Sequence, residues 1–141
     1  MIALRLVVDT NVLVSAALDS DGLQRTAIDL SITRPARLYV SQPIFEEYAE
    51  VLGRPKFGIP KGHRLQLLQL IRNRSVLIGP RLRLYVASDP DDNIFVECAD
   101  AARADYLITG NRKHFPRFWK GTKVISPREF IEVAAPHLLR G

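Results

Sequence analysis

Leu4-Arg5-Leu6-Val7-Val8-Asp9-Thr10-Asn11 is the stretch on which the fold turns. Leu4–Val8 is short, β-branched and free of turn residues, as a fully buried strand requires. A helical stretch follows from about Val12 to Leu18 and breaks at Asp19-Ser20-Asp21-Gly22. The alternation continues outward. A helix is expected over Leu23–Ile32 and a strand over Arg37–Val40, and Ser41 is placed to cap a helix reaching about Leu52. Gly53-Arg54-Pro55 ends that helix, and a loop spans Gly58–Gly62. A basic amphipathic helix is then expected over Arg64–Ile71, with Leu65, Leu68 and Ile71 on one face and Leu67 beside them. Val76–Ile78 and Leu84–Val86 read as strand pieces around Gly79-Pro80. Ser88–Asn93 opens a helix to about Ala102, Tyr106–Thr109 is a strand, Gly110-Asn111 a turn, and Val124-Ile125 the last strand. Ser126-Pro127-Arg128-Glu129 is a capping box with proline at the first helical position, launching a helix to about Ala135. Strands separated by helices predict a three-layer α/β fold with a central, mostly parallel sheet.

The chain has 141 residues, 47% of them hydrophobic and 25% charged, which predicts one domain over residues 1–141 and argues against disorder. The single Cys98 excludes an internal disulfide and points to a reducing cytoplasm. No apolar run reaches the roughly 18 residues of a membrane span. Asp9 also comes too early for a signal-peptide apolar core. The net charge is +5, with fifteen arginines among the twenty cations. Eight cations and no acid lie between Glu50 and Asp89. A second acid-free stretch, between Asp105 and Glu129, carries six cations interleaved with Phe115, Phe118 and Trp119. Guanidinium groups match phosphate oxygens and aromatics stack on unpaired bases, so these stretches fit either a nucleic-acid footprint or a solvated basic surface.

In open parallel sheets ligands bind beyond the carboxyl ends of the strands. Asp9 stands there, followed by Thr10 and Asn11, and the turn after Tyr106–Thr109 brings Gly110 and Asn111 to the same edge. In helix 42–52 the apolar stripe is Ile44, Phe45, Tyr48, Val51 and Leu52. The helical period turns Glu46 and Glu50 to water and leaves Glu47 at the stripe's margin. Asp89 and Asp91 are explained by capping and the helix dipole. Asp92, beside the buried face of Ile94, Phe95, Cys98 and Ala99, can point toward Asp9. Three carboxylates converging on one edge repel one another unless a cation lies between them, and oxygen-only ligation suits Mg²⁺ or Mn²⁺. His63, His114 and His137 are scattered, which leaves zinc without a ligand pattern, and no phosphate-binding glycine loop is present.

These residues resemble the PIN-domain nucleases, in particular the small prokaryotic toxins of VapBC-type toxin–antitoxin systems. The resemblance is carried by Val7-Val8-Asp9-Thr10-Asn11-Val12-Leu13, by Ser41–Tyr48 with Leu52-Gly53-Arg54-Pro55-Lys56, by Asp89-Pro90-Asp91-Asp92-Asn93, and by Ala104–Asn111. It implies a Rossmann-like PIN fold and a metal-dependent endoribonuclease, with Asp9, Glu47 and Asp92 as metal-binding acids. The family's fourth acid follows Thr-Gly, where this chain has the neutral Asn111, which the resemblance makes the fourth catalytic residue, orienting the metal's water together with Thr10. Asp105 is near in sequence but precedes its strand, at the opposite end. Thr10, Asn11 and Thr109 are the expected supporting residues, and Arg54, Lys56, Arg112 and Lys113 the expected RNA contacts. The implied partners are RNA and a small antitoxin, and the apolar stripes leave room for a homodimer. The alternative is a PIN-fold module that binds RNA or protein without cleaving, its activity lost with the fourth acid.

Overall fold

The computed structural model describes residues 3–140, so residues 1, 2 and 141 of the expected domain lie outside the described residues. The chain runs β1 (Arg5–Val8), α1 (Thr10–Leu18), α2 (Leu23–Ser31), β2 (Arg37–Val40), α3 (Gln42–Leu52), α4 (Lys61–Arg74) and β3 (Val76–Leu77). It continues through α5 (Asn93–Ala102), β4 (Tyr106–Ile108), β5 (Phe118–Trp119), β6 (Thr122–Ile125) and α6 (Pro127–Ala134). The strands form one six-stranded sheet in the order β3-β2-β1-β4-β6-β5. All pairs are parallel except β5–β6, which are antiparallel. The expected α/β architecture with a mostly parallel central sheet is the one observed.

From β1 the chain winds through β2 to β3 at one edge and then reverses across the sheet to β4 and β6. Helices α1, α2 and α6 pack together, with α3 and α4 joining α1, whereas α5 lies against β1, β2 and β4. Parallel crossovers are almost always right-handed, so the change in the direction of travel favours α5 on the face opposite the earlier crossover helices. The reversal makes the crevice between the carboxyl ends of β1 and β4 a topological switch point, where such sheets place ligands. Leu6, Val7 and Val8 pair with Tyr106, Leu107 and Ile108, so Asp9 and Thr109 emerge side by side. The N–H of Asp9 extends that ladder by donating to the carbonyl of Ile108 at 2.9 Å.

Local chemistry fixes the flanking helices. Ser41 accepts the Ile44 N–H and has Pro43 behind it, and Ser126 and Glu129 complete the capping box expected of them. Tyr48, fully buried on α3, donates its hydroxyl to the Val8 carbonyl and so ties α3 to the end of β1. Tyr48→Phe leaves that buried oxygen without its side-chain partner. A loss of about 1–2 kcal/mol is expected in urea unfolding, and an unchanged midpoint would show that the tie contributes nothing.

Two local expectations are corrected, and one further strand appears. Leu84–Val86 is not a strand: the Leu84 N–H donates to Glu97, and those of Val86 and Ala87 to Asn93 Oδ1. Leu65 is 50% exposed, and α4 buries Leu67, Leu68 and Ile71 instead. Phe118–Trp119 forms a strand, closing a hairpin on β6 through Lys120-Gly121, with Lys120 in the left-handed region at φ 51°. No helix among the described residues is long and apolar enough to cross a membrane.

Candidate active site

Four segments meet at the switch point. Asp9 caps the junction of β1 and α1 and is only 6% exposed. Its Oδ2 accepts the hydroxyl of the fully buried Thr109 at 2.8 Å, and the Thr109 hydroxyl in turn accepts the Asn111 N–H at 3.0 Å. Asn11 Oδ1 accepts the Gly110 N–H at 3.2 Å, which holds the β4 turn against the start of α1. Thr10, the first residue of α1, donates its hydroxyl to Glu47. On α3 Glu47 is half-buried while Glu46 and Glu50 face water, the directions that the helical period assigns them. Asp92 ends a 3-10 turn (Pro90–Asp92) and immediately precedes α5. The turn is capped by Asp89, whose carboxylate accepts the Asp91 N–H at 3.0 Å.

The acids are near enough to repel one another. Burial raises the Asp9 carboxyl to about 6; the Thr109 hydrogen bond offsets part of the rise, and the charges of Asp92 and Glu47 add to it. Burial also raises Glu47, relieved by Thr10 and reinforced by Asp92. Asp92 is raised by burial and then by Asp89, with His114 opposing. Sequence reasoning missed His114: its Nδ1 lies 3.4 Å from Asp92 Oδ2 on the turn after Asn111. Nothing periodic marks a residue in so short a turn. It also missed Tyr48, whose signal was a buried aromatic with a polar tip next to Glu47.

Among the described residues, no three His, Cys, Asp or Glu side chains are gathered closely enough to hold an ion by themselves. Asn111 is exposed and reaches the acids through its backbone N–H on Thr109. Asp105 lies at the other end of the sheet, where its Oδ2 accepts the Arg5 N–H at 2.8 Å. Of the expected RNA contacts, Arg54 is held by Glu50 at 2.9 Å and Arg112 by Glu129 at 2.8 Å, while Lys56 and Lys113 are exposed. Arg54 still lies near enough to Glu47 to lower its carboxyl.

A PIN domain family model matches residues 5–113, which contain all four segments of this site. The chain belongs to the PIN domain family. Its sequence is 29% identical over 143 residues to the uncharacterized protein MJ1680 of Methanocaldococcus jannaschii, covering 93% of this chain and 92% of the relative. The PIN fold here is similar to that in the crystal structure of VapBC2 from Rickettsia felis bound to a DNA fragment from their promoter. The TM-score is 0.58 at 15% identity, over 86% of this chain and 98% of that one.

Proposed function

We propose that this PIN domain is a divalent-metal-dependent endoribonuclease, the toxin of a toxin–antitoxin pair working in the cytoplasm. What supports the reading is that Asp9, Glu47 and Asp92 stand around the switch point near enough for the charge of Asp92 to raise the other two carboxyls, though not gathered into a closed cage. An oxygen-only set suits Mg²⁺ or Mn²⁺. Mg²⁺ commonly takes one or two carboxylates and completes its shell with waters and substrate phosphate, so two or three acids standing somewhat apart fit it. Asp9 and Asp92 would hold the ion, with Glu47 on the ion or on one of its waters. When bound, such an ion neutralises charge building on the phosphate and makes water a better nucleophile.

The chain's own residues have separate tasks. Thr109 orients Asp9, Thr10 orients Glu47, and Asn11 holds the β4 turn in register. Asn111 supplies a neutral amide to a water where the family has a carboxylate. Arg112, Lys113, Arg117 and Lys123 line one cleft of about 380 Å³ together with Glu129, and these cations with Arg54 and Lys56 would be the groups that hold RNA phosphates. The antitoxin assignment rests on family and fold likeness. One observation favours a module that binds without cleaving, namely the exposed, neutral Asn111.

Incubating structured RNAs with Mg²⁺, Mn²⁺ or EDTA tests the nuclease reading. Cleavage is expected with either metal and not with EDTA, and Glu47→Gln should lower it at least about tenfold while Glu46→Gln leaves it unchanged. Equal effects of the two substitutions would remove Glu47 from the site. For the binding module, calorimetry should detect no Mn²⁺ binding; for the nuclease, it should detect saturable binding that is lost in Asp92→Ala.

A further inference from the structure

At the opposite, amino-terminal edge of the sheet lies a second cleft, of about 420 Å³. It is lined by Arg81, by Asp100 and Arg103 from the end of α5, by Asp105 before β4, and by Trp119 and Lys120 of the hairpin. Its centre is Asp100, whose side chain is 2% exposed. Oδ1 accepts the Trp119 indole N–H at 3.0 Å and the Lys120 ammonium at 2.8 Å. Oδ2 is buried and has no hydrogen-bond partner, the one such side-chain atom among the described residues. Native proteins rarely leave a buried acceptor unmet, and a charged one least of all. Lys120 and Trp119 hold this carboxyl below the ordinary range, so it is ionised at neutral pH. Lys120 itself is 63% exposed, and Arg81 and Arg103 are exposed and form no ion pair among the described residues. The cleft therefore combines an unmet carboxylate oxygen, a flat indole wall and two unengaged guanidinium groups.

We propose that this cleft binds a guanine nucleotide, with Asp100 taking the base edge, Trp119 forming a wall against the ring, and Arg81 and Arg103 taking phosphate. Guanine is the common base with two adjacent donors, N1–H and the 2-amino group, on one edge, which a carboxylate accepts together. Adenine and cytosine put an acceptor nitrogen beside their amine, and uracil has a single N–H between two carbonyls. Lys120, 63% exposed, has to swing off the buried carboxyl to open it to the base, so the site exchanges one half-buried ion pair for a fully met carboxylate. Arginine forks suit the phosphate, and the indole supports a base of any sequence. The site lies apart from the acids and does not depend on the nuclease reading.

Trp119 is the only tryptophan in the chain, so its fluorescence reports directly on this cleft. The full chain, kept in EDTA so that no cleavage intervenes, is titrated with 5′-GMP, 5′-AMP, 5′-UMP, inorganic phosphate and a short oligoribonucleotide containing one unpaired guanosine. GMP is expected to change the emission saturably, at a half-saturating concentration about tenfold below that of AMP or UMP. Inorganic phosphate should leave the emission unchanged. A response to both GMP and the oligonucleotide assigns the site to guanosine in RNA, and a response to GMP alone assigns it to the free nucleotide. Asp100→Asn should reduce the preference for GMP to about one. If that variant does not fold, Arg103→Gln, on an exposed side chain, serves in its place and should weaken GMP and AMP by the same factor. Equal half-saturation for GMP and UMP, an unmoved emission, or unchanged binding in both variants would overturn the proposal.

Discussion

Asp9→Asn is expected to lower metal-dependent RNA cleavage by on the order of a thousandfold while leaving the fold intact. The substitution keeps the size of the side chain and an oxygen to accept the Thr109 hydroxyl, which donates to Asp9 at 2.8 Å. The ladder bond from the Asp9 N–H to Ile108 belongs to the backbone and is untouched. Only the charge is removed, at the position where β1 and β4 part and where the reading places the ion. Initial rates on a labelled structured RNA in Mn²⁺, with circular dichroism as the check on folding, measure the effect. Cleavage at the wild-type rate by a clean preparation of the variant would take Asp9 out of the machinery and the nuclease assignment with it. Loss of cleavage with the fold retained would also show that Asn111 is tolerated at the fourth position, because the wild type would then be an active enzyme without that carboxylate.

What could be read from the sequence was what a period or a cap encodes. The β-branched run before Asp9, the Ser41 cap of α3 and the capping box of α6 give local instructions that tertiary contacts do not contradict. Glu47 was distinguishable from Glu46 and Glu50 because a helix converts sequence spacing into direction. What failed lay outside any such rule. The Leu84–Val86 backbone was strand-like in composition, yet Asn93 and Glu97 supplied its hydrogen bonds from α5, so no neighbouring strand was needed. Phe118–Trp119 is two residues long, too short for alternation to be seen, and its pairing depends on a left-handed Lys120 that sequence does not favour. His114 meets Asp92 only because the turn after β4 folds back over α5's first residues, a long-range contact with no sequence period. Thr109 was visible as a neighbour of the expected site; its task, a buried hydroxyl joining Asp9 to the Asn111 backbone, was not.

Without divalent metal, the acids should make the protein less stable as pH rises. Asp9 has an ordinary pKa of 3.8 and is raised to about 6 in the folded chain, first by burial. The native state thus holds this proton more tightly than the unfolded chain does. The stability it contributes is fully present below pH 3.8 and is lost as pH rises through about 6, and the gap is worth roughly 3 kcal/mol. Glu47 and Asp92 are raised too and act in the same direction, whereas Asp100 and Glu129 are lowered and act against it. The difference between wild type and Asp9→Asn isolates one member of this set. In EDTA near pH 7.5 the variant should melt higher than wild type, by on the order of 5 °C, and the difference should vanish near pH 4. Mn²⁺ at about a hundred times its dissociation constant should then stabilise the wild type by roughly 2.7 kcal/mol and the variant hardly at all. Equal melting temperatures in EDTA at pH 7.5 would mean that Asp9 is ionised there without cost, and the electrostatic case for a cation among these acids would fall. A higher-melting variant that Mn²⁺ no longer stabilises would identify Asp9 as a residue whose charge is tolerated at neutral pH for the sake of the ion it binds.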